Sequence, residues 1–213
     1  MLRPHNDVFI AMALNLLAAV LYFRMSAGVR PFPQWLPLAI TGFFEVILVA
    51  THLRKDGAAN QRWGFLLLLV QLLFLILALY ALISGLPHHP DLRGEDLMFA
   101  GARLWFANVL LFTIWYWRFD GGGPHSRAEE ECDHLSFLFP QLEMTPDERQ
   151  QLRQQHWKPG VVDYLFLSFN TSTALSPADT PVIGRPAKLT TMLQATISLS
   201  IVVVVIGRSV NIM

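Results

Sequence analysis

Asp163-Tyr-Leu-Phe-Leu-Ser-Phe-Asn-Thr-Ser-Thr173 runs into Ala174-Leu-Ser-Pro-Ala-Asp179, turns through Gly184-Arg-Pro-Ala-Lys188 and continues as an apolar run from Leu189 to Ile206. The first apolar segment holds about a dozen residues, and at ~1.5 Å per residue it falls well short of a hydrocarbon core ~30 Å thick. The run after the turn is long enough to cross. The pair therefore reads as a re-entrant half-helix over residues 161–174, a loop over 174–180, and a transmembrane helix within 189–212. Non-helical backbone at membrane depth survives only where protein or water satisfies its amides and carbonyls. The 174–180 loop must be buried in protein or face a water-filled space.

Working towards the N-terminus, four more apolar runs carry the pattern of spans. They are Asp7 to Phe23, Trp35 to Thr51, Trp63 to Ser84 and Leu97 to Trp117. Trp35 and the cluster Trp115-Tyr-Trp117 fit the aromatic belts at membrane surfaces. A cleaved signal peptide is the alternative for the first run, but no small-x-small site is evident and Asp7 interrupts its start, so a retained helix is the preferred reading. The fold class is an all-α integral membrane protein with about five transmembrane helices plus the half-helix. Residues 1–96 hold the first three helices and 97–213 hold the fourth, the half-helix and the fifth. Lys and Arg in the short connections divide evenly between the two sides, which leaves the orientation open.

Residues 118–160 form a long connection. Asp120-Gly-Gly-Gly-Pro124 breaks the fourth helix. Thr145-Pro-Asp-Glu148 has the layout of a capping box with proline at the first helical position, which predicts a short polar helix from Pro146 to about His156. Asp163 falls in the first turn of the half-helix, where a carboxylate complements the dipole.

Several polar side chains fall inside the spans: Glu45, Arg103, Asn15, Gln71, Asn108 and Gln194. Ionisable groups at that depth are costly unless paired or facing water. Glu45 and Arg103 are candidate partners between the second and fourth helices, as a structural ion pair or as a proton-coupled or voltage-responsive site. Snorkelling to an interface is the third reading. Thr190, Gln194 and Ser198 recur every four residues, placing a polar stripe on one face of the last helix that lines water or packs on another helix.

The composition supports a membrane class: 53% of residues are hydrophobic, 15% are charged and mean hydropathy is +0.40. Formal net charge is zero, which argues against a nucleic-acid partner. The lone cysteine, Cys132, excludes an intramolecular disulfide framework, and Cys132-x-His134 lacks the further ligands of a metal site. No cofactor or metal is expected. There is no paired-His zinc motif, no Gly-x-Ser-x-Gly and no nucleophile beside a base, so the sequence does not point to an enzyme.

The stretch from Asp163 onward resembles the pore module of tetrameric potassium channels. Ser168-Phe169-Asn170-Thr171-Ser172-Thr173 stands where those channels have the end of their pore helix, and Asp179 where an acidic residue often follows the filter. The filter pattern Thr-Val-Gly-Tyr-Gly is replaced by Ala174-Leu175-Ser176-Pro177-Ala178. A second resemblance spans roughly residues 97–213. Phe106-Ala-Asn108, Trp115-Tyr-Trp117, Asp120-Gly-Gly-Gly-Pro124, Phe137-Leu-Phe-Pro-Gln141, Phe169 to Asp179 and Arg208-Ser-Val-Asn-Ile212 are similar to a family of bacterial integral membrane proteins with no assigned activity.

The first resemblance implies a homotetramer in which residues 161–212 surround a path for small ions, with Thr171, Thr173, Ser176 and Asp179 facing it. Leu175, Ser176, Pro177 and Ala178 lack the filter's glycines, so potassium selectivity is not expected. The alternative is a non-conducting membrane protein that keeps the pore fold as a scaffold or binds a lipid or small molecule in its crevice. The expected location is the inner (plasma) membrane, as a multi-pass protein.

Overall fold

The computed structural model describes residues 4–25, 30–84, 94–128, 135–173 and 180–211. The apolar runs form α1 (Pro4–Phe23), α2 (Leu36–Leu53), α3 (Gly57–Ser84), α4 (Gly94–Phe119) and α9 (Arg185–Asn211). Between the last two lie α5 (Pro124–Ala128), α6 (Pro140–Glu143), α7 (Pro146–Gln151) and α8 (Val161–Thr173). Among the described residues there is no named strand, only an isolated antiparallel bridge between Phe137 and Val182. Four helices, within Leu36–Leu53, Gly57–Ser84, Glu95–Gly122 and Arg185–Gly207, are long and apolar enough to cross a membrane. This is the pattern of an all-helical, multi-pass membrane protein. The apolar stretch of α1, Asp7–Phe23, is shorter than those four.

Local chemistry sets the helix ends. Lys55 takes a left-handed φ of 56° after α2, and the Asp56 carboxylate then accepts from the Ala59 N–H at 2.9 Å, starting α3 earlier than the apolar pattern alone predicts. Glu95 and Asp96 open α4 and Arg118 stands in its last turn, each sign complementing the dipole at its end. Gly121, Gly122 and Gly123 all have positive φ, at 56°, 74° and 98°. Side chains resist that backbone region, and here it reverses the chain directly after α4. In α7 both bonds of the predicted capping box are present. The helix stops at Gln151, short of His156, because Arg153 adopts φ 55° and the Gln154 N–H turns back to the Arg149 carbonyl at 2.7 Å, a Schellman closure.

α4 is the central element. It packs against α1 and α3 on one side and against α8 and α9 on the other, with α2 covering α1 and α3. The core runs along it through Leu104, Ala107, Leu111, Phe112 and Tyr116, all essentially buried. Near its C-terminal end an aromatic group closes the core: Tyr116 meets Phe137 at 5.0 Å between ring centroids, and Phe139 meets Tyr164 at 5.3 Å. At Gly101 the backbone of α4 comes so close to α9 that an added Cβ would lie 2.2 Å from Val205 Cγ2.

Candidate functional site

The C-terminal half places α8 in the cleft between α4 and α9. Its entry is fixed from below. Asp120, just past α4 and fully buried, accepts from the Ser136 N–H at 2.5 Å and from the Tyr164 hydroxyl at 2.7 Å. Arg127 donates to the Trp117 carbonyl at 2.8 Å and to the Asp120 carbonyl, and its guanidinium lies 5.4 Å from the centre of the Tyr164 ring. Asp163 accepts from the Gly160 N–H at 2.8 Å, the capping role expected for it. Burial holds its carboxyl above the ordinary 3.8, with the Gly160 N–H pulling in the other direction.

The far end of α8 is held by a second polar network. The Gln194 amide donates to the Ser168 hydroxyl at 2.7 Å, the Ser168 carbonyl at 2.9 Å and the Ser172 hydroxyl at 2.8 Å. The Tyr116 hydroxyl donates to the Gln194 side-chain oxygen. Ser198 donates to the Ser172 carbonyl at 2.5 Å, and Trp105 donates to the Ser198 hydroxyl at 2.9 Å. Asn108 reaches Ser172 and the Gln194 carbonyl at 3.5 and 3.4 Å. The polar stripe of α9 thus packs on a helix, one of its two predicted uses, while Thr190 bonds carbonyls of its own helix.

Residues on either side of α8 meet again at its entry. Leu138 N–H donates to the Pro181 carbonyl at 3.0 Å and Ile183 N–H to the Ser136 carbonyl at 2.8 Å. Of the residues expected to face a path, Thr171 is buried within the chain and its hydroxyl bonds the Leu167 carbonyl at 2.9 Å. Thr173 bonds the carbonyls of Phe169 and Asn170 at 3.2 and 3.0 Å. Leu175, Ser176, Pro177, Ala178 and Asp179 lie outside the described residues, as do Cys132 and His134. Among the described residues no three His, Cys, Asp or Glu side chains converge on a point. On α9 the face turned away from α4 and α8 exposes Leu189, Met192, Leu199 and Val203, with Thr196 at its centre. Sequence reasoning missed Thr196, which a helical projection centred on Gln194 would have placed opposite the packed stripe.

The intramembrane charges do not pair as expected. Glu45 turns inward with Thr41 and Leu48, whereas Arg103 sits among the exposed Phe99 and Phe106. The guanidinium of Arg103 lies 5.8 Å from the Phe99 ring centre. Glu45 instead accepts from the Asn15 amide at 2.8 Å, and the cation whose charge acts on it is Arg118. Arg118 lies about 22 Å beyond Arg103 along α4 at ~1.5 Å per residue, and hydropathy does not show which level of α4 faces Glu45. Arg118 itself is 5% exposed, donates to the Asn60 carbonyl and side-chain oxygen at 3.3 and 3.2 Å, and packs where Gly64 leaves room for it. The chain matches no family model, no curated protein and no solved structure.

Proposed function

We propose that the chain is a channel-like multi-pass protein of the inner (plasma) membrane, in which α4, α8 and α9 form a pore-type module without potassium selectivity. α1 completes five crossings, and α8 enters and leaves the membrane on one side. The observation that carries this reading is the link between Phe137 and Val182, which joins the segments before and after α8. A helix of 13 residues whose flanks hydrogen-bond to each other fits a re-entrant element. α8 also leaves Val162, Phe166 and Phe169 exposed along one side. Together with the outward face of α9 this surface suits packing of several copies around an axis, four by resemblance to the channels. The lining from α9 would be apolar apart from a ring of Thr196 hydroxyls. Apolar constrictions gate by dewetting and have no carbonyl stack to replace an ion's hydration shell.

The non-conducting scaffold is the second reading, and one observation favours it. Gln194, Ser198 and Ser172, the polar groups best suited to line water, bond to one another within one chain. Ion flux into liposomes carrying the purified protein separates the two. The channel reading expects flux that Thr196→Trp abolishes without changing the oligomer. Flux indistinguishable from empty liposomes sinks it in favour of the scaffold.

A further inference from the structure

The four N-terminal helices enclose a polar centre that the pore-type module does not use. Glu45 on α2 is 5% exposed, Asn15 on α1 is 2% exposed and Gln71 on α3 is 2% exposed. The Asn15 amide donates to Glu45 Oε1 at 2.8 Å. The remaining oxygens, Glu45 Oε2, Asn15 Oδ1 and Gln71 Oε1, are buried without a hydrogen-bond partner. All three are acceptors on converging helices, and what they lack is a donor. Leaving such groups unmet in a low-dielectric interior is costly, most of all for a carboxylate. A carboxylic acid changes the count, because its O–H donates while its carbonyl still accepts.

We propose that Glu45 is a proton-binding site at the centre of the α1–α2–α3 bundle, held as a neutral acid in a two-way hydrogen bond with Asn15. Oε1 accepts from the Asn15 amide and the Oε2 proton goes to Asn15 Oδ1. The proton comes from water on carboxylate protonation, with no other reactant. Around the site α1 presents Asn15 and, two turns on, Tyr22 packed on Phe32 and Phe74. On α2 the nearest titratable neighbour is His52, two turns along. α3 presents the uncharged Asn60 and Gln71, and α4 presents Arg118. The described bonds of Arg118 go to Asn60. They leave Glu45 without a direct bond from the guanidinium.

Difference infrared spectroscopy of the full-length protein in lipid nanodiscs at neutral pH tests this. The wild type should show the C=O stretch of a protonated, hydrogen-bonded carboxylic acid that deuterium exchange shifts, and Glu45→Gln should lose that band. Glu45→Gln should also melt no lower than the wild type, since an amide offers the same acceptor and donor as the neutral acid. A missing band, or a Glu45→Gln protein that melts lower or fails to fold, would show Glu45 to be the ionised counter-charge of Arg118 and overturn the proposal. Melting temperatures that rise with sodium or potassium in the wild type but not in Glu45→Gln would overturn it in favour of a bound cation.

Discussion

Gln194 on α9 holds Ser172 near the end of α8 with a 2.8 Å hydrogen bond, and the same amide group takes the Tyr116 hydroxyl from α4. One fully buried side chain thus ties together three helices of the C-terminal module.

Replacing that amide by Gln194→Leu strands the Tyr116 hydroxyl in the interior and leaves the Ser172 hydroxyl only its 3.5 Å contact with Asn108. An unsatisfied buried group costs about 1–3 kcal/mol, although hydrogen bonds between membrane helices average nearer ~0.6 kcal/mol. With several partners lost at once the larger range applies. Unfolding in detergent should show a clear loss for Gln194→Leu and a smaller one for Ser172→Ala. Equal stability of Gln194→Leu and wild type would mean that packing alone seats α8.

Gly101 marks a close approach of α4 to α9. Gly101→Ala drives its methyl into Val205, and overpacking of this kind costs about 1–3 kcal/mol. Gly101→Ala with Val205→Ala should recover most of the loss, a coupling that a double-mutant cycle measures. Additive losses would place the two residues out of contact.

Asp163 gives a pH dependence whose sign follows from its burial. Its folded-state carboxyl lies above the ordinary 3.8. The stability linked to it is therefore fully present below that pH and lost as pH rises through the folded value. Asp163→Asn keeps an oxygen for the Gly160 N–H and does not titrate. Its melting temperature should fall less than that of the wild type between acid and neutral pH. Parallel curves would assign the dependence to another group.

The α2–α3 turn, the segments 118–128 and 135–160, and the 180–184 segment all gather at the end of the bundle where α8 begins, as the contacts of Asn60 with Arg118 and of Ser136 with Ile183 place them. Cysteines introduced at Lys55, Glu143 and Ile183 in a Cys132→Ser background should react with a membrane-impermeant reagent from one side, and one at Asp96 from the other. Reaction of Glu143 and Ile183 positions from opposite sides would mean that α8 crosses.

The spans were legible because apolar runs bounded by Arg, Pro and Gly leave few alternatives, and the α8 boundaries agree with expectation almost to the residue. The partners were not legible. Arg118 follows an aromatic cluster and reads in the sequence only as the start of the long connection, yet α3 supplies Asn60 and the space beside Gly64 that let it lie buried. Asp120 read only as the start of a glycine break, and its bond to Tyr164 depends on a contact across 44 positions of sequence. Side-chain pairing at that range is settled by helix rotation and crossing, which hydropathy does not encode. Gln194 and Ser198 were partly legible, since their spacing defined a face but left open what would cover it.

The reversal potential of reconstituted protein, with potassium on one side of a bilayer and sodium on the other, tests the central claim most directly. A pore with a Thr196 ring and no glycine filter should pass both ions and reverse near zero. A reversal potential set by the potassium gradient, and abolished by Thr173→Ala, would show that the loop after α8 selects potassium and would contradict the account.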